Sequence, residues 1–218
     1  MKKSCILAVA LSFLLGSVEA GAVTKKGNLK DPRDGKNYKT VQIGSQTWMA
    51  ENLNYKGWDS FCYNNKTSNC AKYGRLYTWN SAMYACPSGW HLPTVSEFRT
   101  LFESVGGTKD KKEIERWANV GKMLKSKSNW TDNGNGTDVF GFSALPSGFG
   151  NFDGSEFGDQ GVLAPFWTSS SVQVDSDGNA ITDPNGDAMS IVFFYENDYG
   201  FINSNGKSGA GAVRCLKD

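Results

Sequence analysis

The chain has 218 residues, with 23 basic and 22 acidic side chains, a single His and 13% aromatics. A near-neutral balance with scattered charges gives no electrostatic footprint for nucleic acid or anionic lipid. One histidine is too few for a histidine-based zinc centre, which needs two or three.

The first twenty residues, 1–20, read as a secretory signal peptide. Lys2-Lys3 supply a positive start, an apolar run covers 5–15, and Val18 and Ala20 fit the −3 and −1 positions of a cleavage site after Ala20. That run is too short for a transmembrane helix, which takes about 20 residues. Cys5 lies early in the run, a poor place for a lipidated cysteine. Cleavage removes two basic residues and one acidic one, leaving 21 of each. The mature product is expected to be exported, into the extracellular space, the cell surface or the periplasm, with no transmembrane segment and no nucleic-acid partner.

Residues 21–30 are polar and are expected to form a flexible N-terminal segment ahead of one domain over 31–218. Asp31-Pro32-Arg33-Asp34-Gly35-Lys36 supplies turn chemistry, 38–44 alternates as a strand does, and 46–50 suits a hairpin partner. A helix-compatible stretch over 78–85 stops at Cys86-Pro87. The clearest helix starts at Thr94, where Thr94-Val95-Ser96-Glu97 is a capping box followed by Phe98, Leu101, Phe102 and Val105 at helical spacing. A second amphipathic helix is predicted over 111–124, with Ile114, Trp117, Val120 and Leu124 on one side. Beyond the turn cluster at 132–136, strands are predicted over 140–145, 166–172, 190–195 and 212–216, with a long acidic loop over 175–187. Helices first and strands afterwards define an α+β domain.

Without Cys5, four cysteines remain: Cys62, Cys70, Cys86 and Cys215. An even number in an exported chain reads as two disulfides with three connectivities. Cys62 and Cys70 flank a short polar loop and are paired locally, which leaves Cys86 with Cys215. The second bridge closes a loop of about 130 residues and contributes on the order of 4–5 kcal/mol in the chain-entropy account. A zinc site built from all four competes poorly, because no C-x2-C spacing is present.

Gln46-Thr47-Trp48-Met49-Ala50-Glu51-Asn52-Leu53-Asn54-Tyr55, Tyr73-Gly74-Arg75-Leu76-Tyr77-Thr78-Trp79 and Cys86-Pro87-Ser88-Gly89-Trp90-His91-Leu92-Pro93-Thr94 appear in that order. Leu124-Lys125-Ser126, Phe140-Gly141-Phe142-Ser143-Ala144-Leu145-Pro146, Phe166-Trp167-Thr168-Ser169-Ser170 and Val213-Arg214-Cys215 follow. This series resembles the Fibrobacter succinogenes major paralogous domain. That family is similar in turn to the formylglycine-generating-enzyme and C-type-lectin-like superfamily, through the Gly-Trp-x-Leu-Pro-Thr-x-x-Glu element at 89–97. The resemblance implies a loop-rich, C-type-lectin-like α+β fold, with two or three helices in the first half and short antiparallel strands in the second. It also supports the Cys86–Cys215 pair.

The copper-binding cysteine pair of the oxidase relatives is not carried over, since only Cys215 stands near the C-terminus. His91 precedes a capping box and reads as a buried, hydrogen-bonded structural residue rather than a catalytic base. Glu51 and Glu97 read as strand-end pairing and helix capping, so no carboxylate pair stands out for glycoside hydrolysis. No cofactor is expected, calcium being the exception left open. Asp175, Asp177, Asn179, Asp183, Asn185 and Asp187 could offer oxygen ligands, but Ala180 and Gly186 break the EF-hand template. Asn197-Asp198 resembles the Asn-Asp pair of calcium-dependent lectins without its usual flanks.

Trp48, Trp79, Trp90, Trp130 and Trp167 are predicted to lie in the core. Trp58, Tyr195, Tyr199 and Phe201 sit in or beside Gly- or Asn-rich loops, and with Asn197 and Asp198 form the candidate ligand platform. The leading expectation is a secreted or surface-associated, non-catalytic module that binds a glycan or a cell-surface protein through loops of the second half. A structural or assembly subunit of the envelope or an appendage is the alternative, and a polysaccharide-active enzyme the third.

Overall fold

Alternation of apolar and polar residues decides the start of the fold. The computed structural model describes residues 24–111, 115–174, 180–181 and 186–218, so the stretch over 1–20 expected to be a signal peptide lies outside the described residues. Strand β1 (Lys25–Lys30) pairs antiparallel with β2 (Asn37–Ile43), whose Tyr38, Thr40, Val41 and Ile43 are buried while Lys39 and Gln42 face out. Gly44, at φ 58°, turns the chain into β3 (Gln46–Met49). The stretch expected to be flexible is therefore, from Lys25 on, an edge strand: its backbone finds partners on β2 even though its side chains are polar.

The chain then makes β4 (Ser60–Phe61), α1 (Thr67–Tyr73), β5 (Leu76–Thr78), α2 (Trp79–Ala82) and β6 (Trp90–His91). Helix α3 (Val95–Ser104) has the full capping box: Thr94 Oγ1 accepts from the Glu97 amide, and the Glu97 carboxylate accepts from the Thr94 amide. Its Val95, Phe98, Leu101 and Phe102 are buried. Strands β7 (Thr108–Lys109) and β8 (Arg116–Ala118) precede the short α4 (Val120–Leu124). The second half holds β9 (Phe149–Asn151), β10 (Phe157–Gly158), β11 (Leu163–Val174), β12 (Ala180–Ile181), β13 (Asp187–Phe194), β14 (Gly200–Asn205), β15 (Gly209–Ala212) and β16 (Leu216–Lys217).

Two sheets result. The smaller has the order β1-β2-β3-β16-β6; the larger is built on the path β10-β9-β15-β11-β13-β14-β8-β7, with β4, β5 and β12 attached at its sides. This overturns the α+β, C-type-lectin-like expectation. Strands run through both halves, and the fold is mostly β.

Local misreadings account for much of that difference. The helix predicted over 111–124 is, where described, β8 followed by one short helix. Asn119 adopts a left-handed φ of 68° between them, and Trp117 pairs across to Gly200. The helix predicted over 78–85 is a four-residue turn of helix. The predicted strand over 140–145 is a loop with one isolated bridge, Ala144 to Lys125, and its Phe142 ring packs on Trp48 of β3 and Phe166 of β11.

Two cores sandwich the large sheet. One gathers Phe98, Phe102, Trp117, Phe166, Ile191 and Phe193 on the α3 side. The other gathers Tyr77, Trp79, Leu92, Trp167, Ala188 and Val213 on the opposite side. Alternate residues of β11 and β13 point to opposite faces, so these strands serve both.

The C-terminal segment crosses from one sheet to the other. β15 lies in the large sheet and β16 in the small one, and Val213-Arg214-Cys215 spans the gap. The Leu53 amide donates to the Val213 carbonyl (2.9 Å) and the Met49 amide to the Cys215 carbonyl (3.0 Å). Cys215 is bonded to Cys86, and Cys62 to Cys70. Arg214, 0% exposed, donates to Asn52 Oδ1 (2.6 Å from Nη2) and to the carbonyls of Met49 (3.1 Å), Ser143 (3.1 Å) and Phe142. Its guanidinium also lies 4.5 Å from the Phe142 ring centroid. Burial depresses its pKa to about 9, against the opposing pull of Asp138 and Glu51, so it stays charged at neutral pH.

Arg214→Met keeps the bulk but strands Asn52 and three carbonyls without donors. It is expected to cost about 3–5 kcal/mol in denaturant unfolding. The loss in a double mutant with Asn52→Ala should be less than the sum of the single losses. Additive losses in that cycle would show that the two side chains do not act together.

Candidate functional site

The residues of the sequence-predicted platform fall on two parts of the chain, Trp58 ahead of β4 and the others around the β13–β14 turn. Trp58 is 58% exposed, on the segment leading into β4, where its carbonyl accepts from Ser81 Oγ. Residues 195–199 form the turn between β13 and β14, and several of their backbone groups are taken up within the fold. The Tyr199 amide donates to Asn197 Oδ1 (3.0 Å), and the Gly121 amide donates to the Asp198 carbonyl (2.9 Å). Lys125, 1% exposed, donates to the carbonyls of Phe194 (3.1 Å) and Asn197 (2.8 Å), with Asp198 at 4.0 Å. Burial lowers the Lys125 pKa, and Asp198 opposes that shift. Tyr195 packs against the first core. Tyr199 lies under Arg116 (4.8 Å) and beside Phe201 (6.0 Å), which in turn meets Phe194 edge to face at 5.4 Å. This aromatic chain leads from the turn to the outward face of the large sheet.

A groove opens on that face. Its volume is about 460 Å³, and it is bounded by β11, β13 and β14 on one side and β9 and β15 on the other. The two wings diverge because β11 and β15 pair only at Phe166 and Ala212. Cross-strand rows set the floor. Leu163 faces Phe194, Pro165 faces Val192, and Trp167 faces Ser190, which faces Asn203. One end is thus apolar and the other carries carboxamides and glycine backbone. Trp167 closes the amide end: its Nε1 donates to the Tyr77 carbonyl (2.8 Å), and a Cβ on Gly211 would lie 3.2 Å from that nitrogen. Phe149, 44% exposed, stands over Gly158, where a Cβ would come within 3.0 Å of its ring.

A second groove, about 830 Å³, lies between the β1–β2 hairpin and the loops at 126–128 and 138–145. It is polar, with Lys26, Lys39, Lys127, Glu51 and Asp138 in its lining. Its carboxylates are engaged in holding the fold. Glu51 accepts from the Lys39 amide (2.7 Å), and Asp138 accepts from the Ser143 amide (2.7 Å) and hydroxyl. Burial raises the Asp138 pKa against those Ser143 bonds.

His91 is half-buried rather than buried, and both ring nitrogens meet carboxylates: Nδ1 to Asp218 (2.6 Å) and Nε2 to Glu97 (2.9 Å). Burial favours the neutral ring, but the bonds to Asp218 and Glu97 outweigh it and raise its pKa. Of the calcium candidates, Asp175, Asp177, Asn179 and Asp183 lie outside the described residues, as does Asn185. Asp187 begins β13 and accepts from Ser204 Oγ (3.3 Å). Among the described residues no group of three or more His, Cys, Asp or Glu side chains is placed to hold a metal, and no helix is long and apolar enough to cross a membrane.

Fold and groove define a disulfide-stapled, two-sheet β domain with an uncharged groove on the face of its larger sheet. Residues 41–217 match the family model of the Fibrobacter succinogenes major domain, and the chain belongs to that family. No curated protein and no solved structure matches it. The uncharged groove falls wholly inside the matched residues, whereas the polar one is walled partly by Lys26 and Lys39, which precede them. Sequence reading missed the groove because its residues are spread over five strands. The unbroken apolar β11 run Leu163-Ala164-Pro165-Phe166-Trp167 was the available signal.

The raised His91 pKa makes its contribution to stability complete below the ordinary imidazole value and lost as pH climbs through the folded-state value. An NMR titration should place the His91 midpoint above 6.5 and bring it down toward that value in Asp218→Asn. A midpoint indifferent to that change would mean that the Asp218 contact does not persist in solution.

Proposed function

We propose that this chain is an exported, non-catalytic binding module that holds a glycan or a protein ligand in the groove between the β11–β13–β14 and β9–β15 wings. The observation that carries the reading is the lining itself, which contains no titratable side chain. Proton transfer near neutral pH needs an acid or base within hydrogen-bond reach of the substrate, and this groove supplies none. What it supplies is apolar floor, ring faces and a few oriented amides, the usual composition of a recognition site.

Export is supported by the leader pattern over 1–20 and by the two disulfides, which persist in oxidising compartments. Delivery to the cell surface, the periplasm or the medium follows from the same pattern. The aromatic residues first picked out around 195–201 keep a supporting part, since Phe201 backs Phe194 at the groove's apolar end.

Two measurements test this. The protein recovered from its host should begin at Gly21 and appear outside the cytoplasm. Phe149→Ala should lose about tenfold or more of the protein's retention on surface or extracellular fractions while its melting temperature stays within a few degrees of the parent. Cytoplasmic recovery with an intact leader would overturn export. Retention untouched by Phe149→Ala would overturn the groove.

A further inference from the structure

We infer, resting on the binding reading above, that the groove's ligand is an uncharged polysaccharide chain. Charge is the first argument. Charged residues make up 21% of the sequence, yet Lys, Arg, Asp, Glu and His are absent from this lining. Lys207 lies between two lining residues, Gly206 and Ser208, and turns its ammonium over the Trp79 ring at 4.4 Å instead. An acidic polymer or a charged peptide would give up hydration here without meeting a counter-charge, which is costly.

The second argument is the chemistry of what remains. A sugar hydroxyl both donates and accepts, and a carboxamide offers both partners. Asn203 and Asn205 stand in neighbouring rows at one end of the groove. Asn205 donates to Ser190 Oγ through Nδ2, a bond that orients its carboxamide. The C–H face of a sugar ring is apolar and lies flat on an aromatic ring. Phe149 offers such a ring: it lies against Gly158, its cross-strand partner, and the residue is nearly half exposed. Apolar side chains of Leu163 and Val192 continue the floor between the ring and the amides.

Third, the groove is a side-chain face rather than a strand edge. β13 is paired along both edges, by β11 and β14, whereas β11 meets β15 only at Phe166 and Ala212. A peptide adding as a further strand needs a free ladder, and on that side of β11 the Leu163 carbonyl accepts from the Gly148 amide (3.0 Å) while Pro165 has no N–H to offer. Four residues of strand advance about 13 Å, so the distance from the Leu163 row to the Trp167 row exceeds one sugar ring. The open form suits a chain lying along the face better than a single monosaccharide.

The test uses the mature chain and two variants, Phe149→Ala and Asn203→Ala, each first checked for an unchanged melting temperature. Retention is measured by affinity electrophoresis on neutral polymers (glucan, xylan, mannan) and on acidic ones (alginate, polygalacturonate). The inference predicts retention on at least one neutral polymer, steady between about 0.05 and 0.5 M salt, and weakened about tenfold or more in both variants. Retention confined to acidic polymers and erased by salt, yet still lost in Phe149→Ala, would overturn the ligand class and leave the groove standing. Phe149-dependent capture of a protein with no polymer bound would do the same. Polymer binding that neither variant touches would overturn both this inference and the groove reading.

Discussion

A single buried cation sets the relation between the two sheets. Arg214 has five N–H donors and no solvent exposure, so it must find acceptors inside the protein or the segment that carries it cannot be buried. It finds Asn52, Met49, Phe142 and Ser143. Among the described residues no carboxylate stands within ion-pair distance, and the charge is met by carbonyl dipoles, one carboxamide and the faces of Phe142 and Phe166. These partners come from two parts of the chain: the end of β3 with the loop that follows it, and the 138–145 loop. Arg214 therefore does what no local turn could do, which is to hold the 49–52 and 142–143 segments together around its own.

The consequences reach the groove. Arg214 sits between Val213, which takes a bond from Leu53, and Cys215, which is bonded to Cys86. Just before it, β15 forms one wall of the groove. The disulfide limits how far the unfolded chain can spread, and the guanidinium specifies where the segment lies once folded. With β15 anchored at its end, its divergence from β11 becomes a fixed feature of the fold. The outward face of β11 and β13 is then filled by the second core near Trp167 and left open toward Phe194, and that open remainder is the groove.

Some of this was legible in the sequence because it is local. The capping box at Thr94 needs only residues 94–97, and the β2–β3 hairpin needs only an alternating run and Gly44. The local Cys62–Cys70 pair follows from a short polar loop. Where tertiary pairing decided the outcome, local pattern misled. Trp117, Val120 and Leu124 have helical spacing, but Trp117 is held in a strand by β14 and by Phe102, whose ring lies 5.7 Å away. The polar stretch at 25–30 gave no apolar stripe and still became an edge strand, because its partner β2 supplies the backbone bonds. The groove was the least legible feature. Phe149, Leu163, Val192, Asn203 and Gly211 lie on five strands, and only the register brings them together.

The central claim is that recognition takes place on the uncharged face of the large sheet, and amide chemical-shift mapping tests it most directly. On titration with a neutral oligosaccharide, the account predicts shifts concentrated at Phe149, Asn151, Val192, Asn203, Asn205 and the Gly206–Gly211 backbone. Shifts centred instead on Thr40, Lys127, Asp138 and Ser143 would move recognition to the polar groove and contradict it.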